Sequence, residues 1–402
     1  MKPKLWMLFI MLGNFLLTYA QDDTTKVRAL EVYGFAQTDI GYNFNQINPA
    51  WSDALRVTKL PTYKNQYAPD GNVYFSARQS RLGVRGWTPT PVGELKVVFE
   101  FDMFGVGVDE GQFTMRPRNF YGELGRFLVG QANSPFMDGD IWPNTMEYWG
   151  PTGMVFFRNL QFRYAILQGD NELFVALERP GASADQGSFS DRTELDSVKG
   201  HFNVPDFSAH YKRSGKWGHV QLGGMLRSIK WKDIHTTGGY DLSGSTVGWG
   251  LNLSTVINVG KMDAFRGSII YGQGVENYMQ DAPVDVGIEL NQGNTTTPIK
   301  GKALPVTGIV AFYDHYWTPN LCTAFGYSST SISNTDYGSP NAYKFGQYAI
   351  VNLVATPFKN VTMAAELEWG KRKNFSDGFS SQATKLQFSF KYNFSQVFYR
   401  KK

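Results

Sequence analysis

The clearest hydrophobic pattern in the chain lies near its C-terminus, where every second residue from Leu386 to Phe394 is apolar. The residues that alternate with them, from Lys385 to Asn393, are all polar. Because side chains point to opposite faces of a strand with period two, this segment is predicted to be a strand with one aromatic face. A soluble sheet would bury that face under a second layer, whereas the wall of a membrane β-barrel turns it to lipid.

The same alternation recurs along the whole chain, for example in residues 247–254 and 361–369, whose inward positions are small or polar. An outer face that is apolar while the inner face is polar favours the membrane barrel over a soluble sandwich. About sixteen strands are predicted, near residues 30–44, 72–87, 94–104, 113–123, 125–131, 154–168, 171–179, 206–213, 217–230, 246–258, 264–274, 306–317, 320–329, 345–356, 360–371 and 382–394.

Short and long connections alternate between these segments. Turn signals lie at residues 169–171, 214–216 and 356–360, which suits tight turns at a periplasmic end. The long polar stretches, which suit external loops, are residues 45–72, 180–205, 231–245, 278–305 and 328–344. The predicted fold is therefore all-β: a transmembrane antiparallel up-and-down β-barrel of about sixteen strands.

The N-terminus has the plan of a secretory signal. Lys2 and Lys4 precede an apolar run over residues 5–17, and Thr18-Tyr19-Ala20 supplies small residues before a cut after Ala20. A retained membrane anchor is the alternative, but the run is short for a spanning helix and Asn14 interrupts it. We expect residues 1–20 to be a signal peptide and residues 21–402 to be one barrel domain in the outer membrane of a Gram-negative-type bacterium.

Composition excludes several other classes of protein. No later stretch approaches 18 consecutive apolar residues, so a helical membrane protein is excluded. The formal charge of +4 includes the two lysines of the signal, so the mature chain is nearly balanced and offers no argument for nucleic-acid binding. Cys322 is the single cysteine, which rules out an internal disulfide.

Arginines are concentrated in the first half of the chain and include Arg158. If Leu82 and Val84 face lipid, their neighbours Arg81 and Arg85 face the lumen. The same spacing and parity put three further arginines inward, Arg116, Arg118 and Arg163. Such a row would lower the entry cost for carboxylates. The alternative is a structural role in ion pairs with Glu100, Asp102 and Glu123.

A loop between two predicted strands is unusually aromatic for a segment in open water. Residues 130–151 include Phe136, Trp142, Tyr148 and Trp149, which would be buried if the loop folded into the lumen. That fold would also set Asp138, Asp140 and Glu147 opposite the arginines and create a constriction with a transverse field. The residues predicted to narrow the pore are Ser134, Pro135, Phe136, Asp138 and Asp140. The alternative is an ordinary external loop packed on itself.

Enzyme and cofactor signatures are weak. The five histidines lack zinc spacing, and no Gly-x-Ser-x-Gly motif is present. Asp138 and Asp140 supply two carboxylates, which is too few for a calcium site. We therefore expect no catalytic residue, no metal and no cofactor. An outer-membrane hydrolase with a lipid-facing Ser/His pair remains an alternative of lower rank.

Five motifs in the first half resemble, in order and spacing, those of the DcaP-like outer-membrane porins. They are FSARQSRLG at 75–83, FEFD at 99–102, YGELG at 121–125, GQANSPFMD at 130–138 and EYWGP at 147–151. The resemblance implies a trimer of sixteen-stranded barrels that passes small anions, particularly dicarboxylates. It also implies that Arg78 joins Arg81, Arg116 and Arg118 on the anion path, which by parity requires a bulge at Arg78.

The sequence thus predicts an outer-membrane porin for passive diffusion of small anionic, dicarboxylate-like solutes through an arginine-lined constriction. Its expected partners are those solutes, outer-membrane lipid and two further copies of the chain. The alternative function is that of a surface receptor or adhesin that uses its external loops, such as residues 291–298, which are rich in Asn and Thr.

Overall fold

A computed structural model describes residues 28–236 and 239–400. The predicted signal peptide, residues 1–20, lies outside these described residues. Among them the strands are β1 (Arg28–Asn43), β2 (Asn72–Ser76), β3 (Arg81–Thr90), β4 (Gly93–Phe104), β5 (Phe113–Leu124), β6 (Phe127–Asn133), β7 (Arg158–Leu167), β8 (Asn171–Glu178), β9 (Val198–Gly200), β10 (Asp206–Gly215), β11 (Gly218–Asp233), β12 (Gly244–Val259), β13 (Asp263–Gln273), β14 (Val286–Leu290), β15 (Ile299–Ala303), β16 (Pro305–Thr318), β17 (Leu321–Ile332), β18 (Tyr343–Phe358), β19 (Val361–Asn374) and β20 (Ser380–Arg400).

Sixteen antiparallel strands of the described chain form a closed barrel wall. β2 and β3 count as one of them, interrupted at residues 77–80, and β1 closes the wall by pairing with β20 along its full length. Strands β9, β14 and β15 stand outside this count: β9 extends the sheet beside the end of β11, and β14 pairs with β15 in a separate hairpin. The predicted fold class is confirmed.

Each of the sixteen predicted segments corresponds to a strand of the wall. The largest boundary difference is at the C-terminus, where β20 continues six residues past Phe394, to Arg400. These six residues belong to the strand, because β1 begins at Arg28 and offers a partner as far as Arg400.

The helical residues are confined to short 3-10 turns in the loops, so none of the described helices is long and apolar enough to cross a membrane. They are Pro49–Trp51, Val57–Lys59, Gly107–Asp109, Gly139–Ile141, Gly187–Phe189, Thr193–Ser197 and Glu276–Tyr278.

The wall has the predicted two faces. In β20, Phe388 and Phe390 are 54% and 49% exposed on the outside, while Lys385 and Gln387 are fully buried on the inside. The same alternation holds in β4, β8, β11, β12 and β19. The outer surface is therefore apolar and aromatic, as a wall in contact with lipid requires.

The apolar core of this protein lies inside the barrel. Connections at one end are short turns, whereas most of those at the other are long. Two of the long ones, loop 1 (residues 44–71) and loop 3 (residues 134–157), supply much of the lumenal core, and residues 274–304 also contribute to it. The fully buried side chains of loop 1 and loop 3 include Trp51, Leu55, Leu60, Phe136, Ile141 and Met154. The two loops pack against the inner faces of the strands and leave part of the lumen open.

Candidate functional site: a basic cavity in the barrel lumen

The open part of the lumen is a cavity of about 1130 Å³. One side of it is a basic band, which we define as Arg81 on β3, Arg116 and Arg118 on β5, Arg158 at the start of β7, and Lys391 on β20. Loop 3 forms the facing side with aromatic side chains, namely Trp142, Tyr148, Trp149, Phe156 and Phe157. Charge and apolar surface thus face each other across the opening.

Three members of the band, the arginine trio Arg81, Arg116 and Arg118, share two carboxylates of β4. Asp102 receives Arg118 Nη1 at 2.5 Å and Arg116 Nη2 at 2.7 Å. Glu100 lies 3.6 Å from Arg81 and 3.7 Å from Arg118. The register between β4 and β5 slips between Glu100 and Phe101, and the extra residue is Arg118. Arg116 and Arg118 share the inward face by ordinary alternation, and the bulge brings the adjacent Asn119 inward as well, where it donates to Glu100 at 3.0 Å.

Tyr148 joins loop 3 to the arginine trio. Its hydroxyl donates to Asp102 Oδ2 at 2.7 Å and accepts from Arg118 Nη1 at 3.1 Å and from Arg116. Its ring stacks on Phe104 with 3.7 Å between centroids and 7° between planes. The loop side of the cavity is therefore fixed to the basic side at one point.

The two remaining members of the band have no such compensation. Among the residues that the structure describes, no carboxylate lies within ion-pair distance of Arg158 or Lys391. Arg158 lies over the Phe156 ring at 5.1 Å, and Lys391 lies over the Phe35 ring at 4.0 Å. Their charges reach the water of the cavity without a fixed counter-ion.

The other three arginines proposed from the sequence lie off this cavity. Arg78 occupies the interruption between β2 and β3, is 4% exposed, and binds Asp53 of loop 1 through Nε at 2.8 Å. It therefore holds loop 1 against the wall. Arg85 pairs with Glu31 at 3.2 Å, and Arg163 lies over the Phe174 ring at 5.0 Å, both nearer the short-turn end.

Loop 3 enters the lumen through the first residues that the sequence singled out. Ser134 donates to Glu178 at 2.5 Å. The backbone carbonyl of Pro135 lies 3.0 Å from His210 Nδ1, and that of Phe136 accepts a hydrogen bond from Asn252 Nδ2 at 3.1 Å. The Phe136 ring is fully buried. This part of the loop is packed into the wall, while residues from Gly139 onward line the cavity.

Asp138 is the central anchor of loop 3. Its Oδ2 atom lies 2.7 Å from His219 Nε2 and 2.7 Å from Ser254 Oγ, on β11 and β12. Burial alone would raise the pKa of Asp138, but the hydrogen bond with His219 and that with Ser254 outweigh it and hold the pKa below its ordinary value. The carboxylate is thus stabilised in its charged form.

The predicted transverse field requires a correction. Asp138, Asp140 and Glu147 are not paired with the arginines, because each is paired with another side chain of the wall. Asp140 binds Lys212 at 2.5 Å, and Glu147 binds Lys385 at 2.5 Å in a fully buried pair. The acidic groups of loop 3 serve to attach the loop, and its cavity face is aromatic.

Asp138, Asp140 and His219 also form the one cluster of three potential metal ligands found among the described residues, with ligand atoms within 4.8 Å of one another. Lys212 already binds Asp140, and Ser254 and His219 use the lone pairs of Asp138. The ligand atoms of this cluster are therefore already engaged by protein groups.

Two residues of the band, Lys391 and Arg158, are not marked as cavity residues by the sequence. Lys391 is on the polar face of the last strand, so the sequence predicts that it points inward. The sequence does not predict that it lies at the level of the cavity along the barrel axis. The parity that turns Arg163 inward places Arg158 on the outward positions of β7, so the sequence does not assign Arg158 to the lumen. Its side chain nevertheless lines the cavity, because Arg158 is the first residue of the strand, where the wall ends.

Loop 1 places two more cations on the cavity, Arg56 and Lys59, and each is paired with a carboxylate: Lys59 binds Glu110 at 2.9 Å. The Arg56 guanidinium lies 4.6 Å from the Trp51 ring and 4.3 Å from the Trp149 ring. It also binds Asp281 at 3.1 Å. Since Asp281 belongs to residues 274–304, a third long loop, Arg56 connects three loops at the mouth of the cavity.

Comparisons with known proteins agree with this geometry. The structure of the outer membrane channel DcaP of Acinetobacter baumannii superposes with a TM-score of 0.76 at 20% identity, over 94% of this chain and 100% of that one. An anion-selective porin from Comamonas acidovorans gives 0.57 at 11%, over 91% and 100%, and the trimer form of OmpT of Vibrio cholerae gives 0.54 at 10%, over 92% and 100%.

A search of curated protein sequences found no match. The family model of the DcaP outer membrane protein matches residues 18–394, nearly the whole chain. Together with the closed sixteen-stranded wall and its apolar outer face, this shows an integral protein of the outer membrane with the architecture of a channel. The chain belongs to the DcaP outer membrane protein family.

Proposed function

We propose that this protein is a passive diffusion channel for small anionic solutes, with the basic band and loop 3 as its constriction. The observation that carries the proposal is the charge balance of the cavity wall. Three guanidinium groups share Glu100 and Asp102, and Arg158 and Lys391 add two cations without fixed counter-ions. The narrow part of the lumen is therefore positively charged.

Such a charge favours anions for a simple electrostatic reason. A unit charge 4 Å from an ion contributes about 1 kcal/mol in water, and the effect grows in a narrow lumen with low-dielectric walls. An anion entering this cavity meets cations on one side and aromatic surface on the other. A cation meets the same field with the opposite sign and enters less often.

Dicarboxylates are the solutes that we infer within this class, since the chain belongs to the DcaP family and its guanidinium groups suit carboxylates. The Comamonas neighbour is described as anion-selective, and the Vibrio neighbour is described in a trimer form. We infer a homotrimer for this protein as well.

Reversal potentials in planar bilayers under a KCl gradient test the proposal directly. A chloride-selective potential is expected, and a potassium-selective one would overturn the anion assignment. Liposome swelling should be faster with succinate than with a neutral sugar of similar size. Equal rates would restrict the proposal to a general pore and remove the preference for carboxylates.

A further inference from the structure

The five cations of the basic band differ in how much of their charge and hydrogen-bonding capacity is already used. The arginine trio is held by Asp102 and Glu100, and two of its members also donate to the Tyr148 hydroxyl. Arg118 is only 7% exposed. The trio is thus largely committed to the protein, although it contains the residues most readily predicted from the sequence.

Arg158 is the opposite case. It is partly exposed on the cavity wall, and the contact that fixes it is with the ring of Phe156. Its guanidinium nitrogens have no hydrogen-bond partner among the described residues, and they are not buried. Their N–H groups are therefore available on the cavity wall. A guanidinium with free donors can hold a carboxylate in a bidentate manner.

The position of Arg158 strengthens this contrast. It lies close enough to Arg81, Arg116 and Arg118 for their positive charges to repel its own. In the sheet it pairs with Asn133, at the point where loop 3 leaves β6 and returns to β7. The side chain is therefore anchored on a rigid strand pair while its head group lies where loop and band meet.

We propose that Arg158 is the principal anion-binding side chain of the constriction, and that the arginine trio chiefly positions loop 3 through Asp102 and Tyr148. This inference rests on the proposed anion channel and names the residue that determines its selectivity. Lys391, the other uncompensated cation, lies face-on against Phe35 and has a point charge without a planar fork, so it ranks second.

The test compares Arg158→Gln with a charge-balanced double variant, Arg116→Gln together with Asp102→Asn. Removing the uncompensated charge should lower the anion-to-cation permeability ratio about five-fold, which corresponds to about 1 kcal/mol. The double variant removes one charge of each sign, so it should lower the ratio less than Arg158→Gln does, while the weakened contacts of Asp102 with Arg118 and Tyr148 should increase the current fluctuations. Arg158→Lys should keep the KCl ratio but weaken block of the current by succinate.

Arg163→Gln is the matched control, because Arg163 lies on the same strand but off the cavity, and its ratio should stay near that of the unmodified protein. Single-channel conductance of each variant shows that the barrel has folded. The inference is overturned if Arg158→Gln keeps the ratio, or if the balanced variant lowers the ratio as much as Arg158→Gln does. The proposed function itself fails separately, if the unmodified channel shows no anion preference.

Discussion

The hydroxyl of Tyr148 donates a 2.7 Å hydrogen bond to Asp102, the carboxylate that also binds Arg116 and Arg118. One loop residue is thereby included in the charge network of the opposite wall. Since the Tyr148 ring is also stacked on Phe104, its position is defined by polar and apolar contacts together. The width of the opening between loop 3 and the band depends on this contact.

Tyr148→Phe should loosen loop 3 without unfolding the barrel. The ring keeps its stack on Phe104, but hydrogen bonds with charged groups are lost, at about 1.5–3 kcal/mol for such a bond. We expect larger current fluctuations of the open channel, measured in planar bilayers. Tyr392→Phe on the outer face, where the ring is 47% exposed, is the control. Equal noise in both variants would contradict the role of the hydroxyl.

Lys385→Met should destabilise the protein strongly. Lys385, Glu147 and Glu368 are fully buried together, and removal of one partner from a buried ion pair costs about 3–5 kcal/mol. Urea unfolding in detergent, followed by tryptophan fluorescence, measures the change. Adding Glu147→Gln to Lys385→Met should recover part of the loss.

The pair of Lys212 with Asp140 gives the comparison, since the Asp140 side chain is 62% exposed. Exposed pairs contribute about 0–1 kcal/mol, so Lys212→Met should have a small effect. A similar loss in both lysine variants would show that burial of the Lys385 pair is not the source of its contribution.

Gly153→Ala should displace loop 3 from the wall. A Cβ atom at this position would lie 2.6 Å from the carbonyl oxygen of Ile309 and would also clash with that of Ser329, both rigid backbone atoms. Overpacking of this kind costs about 1–3 kcal/mol, and we expect a lower urea midpoint together with a changed conductance. Gly122→Ala is the control, because nothing lies within 4 Å of its added Cβ.

Acid should weaken the attachment of loop 3 through Asp138. Its pKa is lowered in the folded protein, so the carboxylate contributes stability that is complete above its ordinary pKa of 3.8 and is lost as the pH falls through the lower folded value. Asp138→Asn should therefore lower the urea midpoint at pH 6 and have less effect at pH 2.5. A deficit that is the same at both pH values would contradict this linkage.

Strand positions and faces could be predicted from the sequence because alternation with period two is a local property. The strand from Lys385 to Phe394 shows its direction in ten residues, and the inward side of Arg81 follows from Leu82 and Val84. The partners of loop residues could not be predicted in this way. Glu147 meets Lys385 across 238 positions of the chain, and no local pattern encodes that contact.

Arg78 and Arg158 both show that the sequence does not predict whether an arginine is paired with a carboxylate. A bulge was required to turn Arg78 inward, and an interruption between β2 and β3 is present, but Asp53 of a distant loop then covers the guanidinium. Arg158 remains uncovered because no carboxylate of the described chain reaches it. Whether an arginine is compensated depends on tertiary neighbours, and this distinction separates a wall residue from a candidate solute-binding residue.

The placement of the apolar interior within the lumen has a consequence for the evolution of this channel. In most globular proteins the groups that exclude water and the groups that meet the ligand are different sets, and each can change alone. Here loop 1 and loop 3 supply both. A substitution that widens the passage also removes cohesion from the fold, so variants with larger permeants should carry compensating changes on the strands behind these loops.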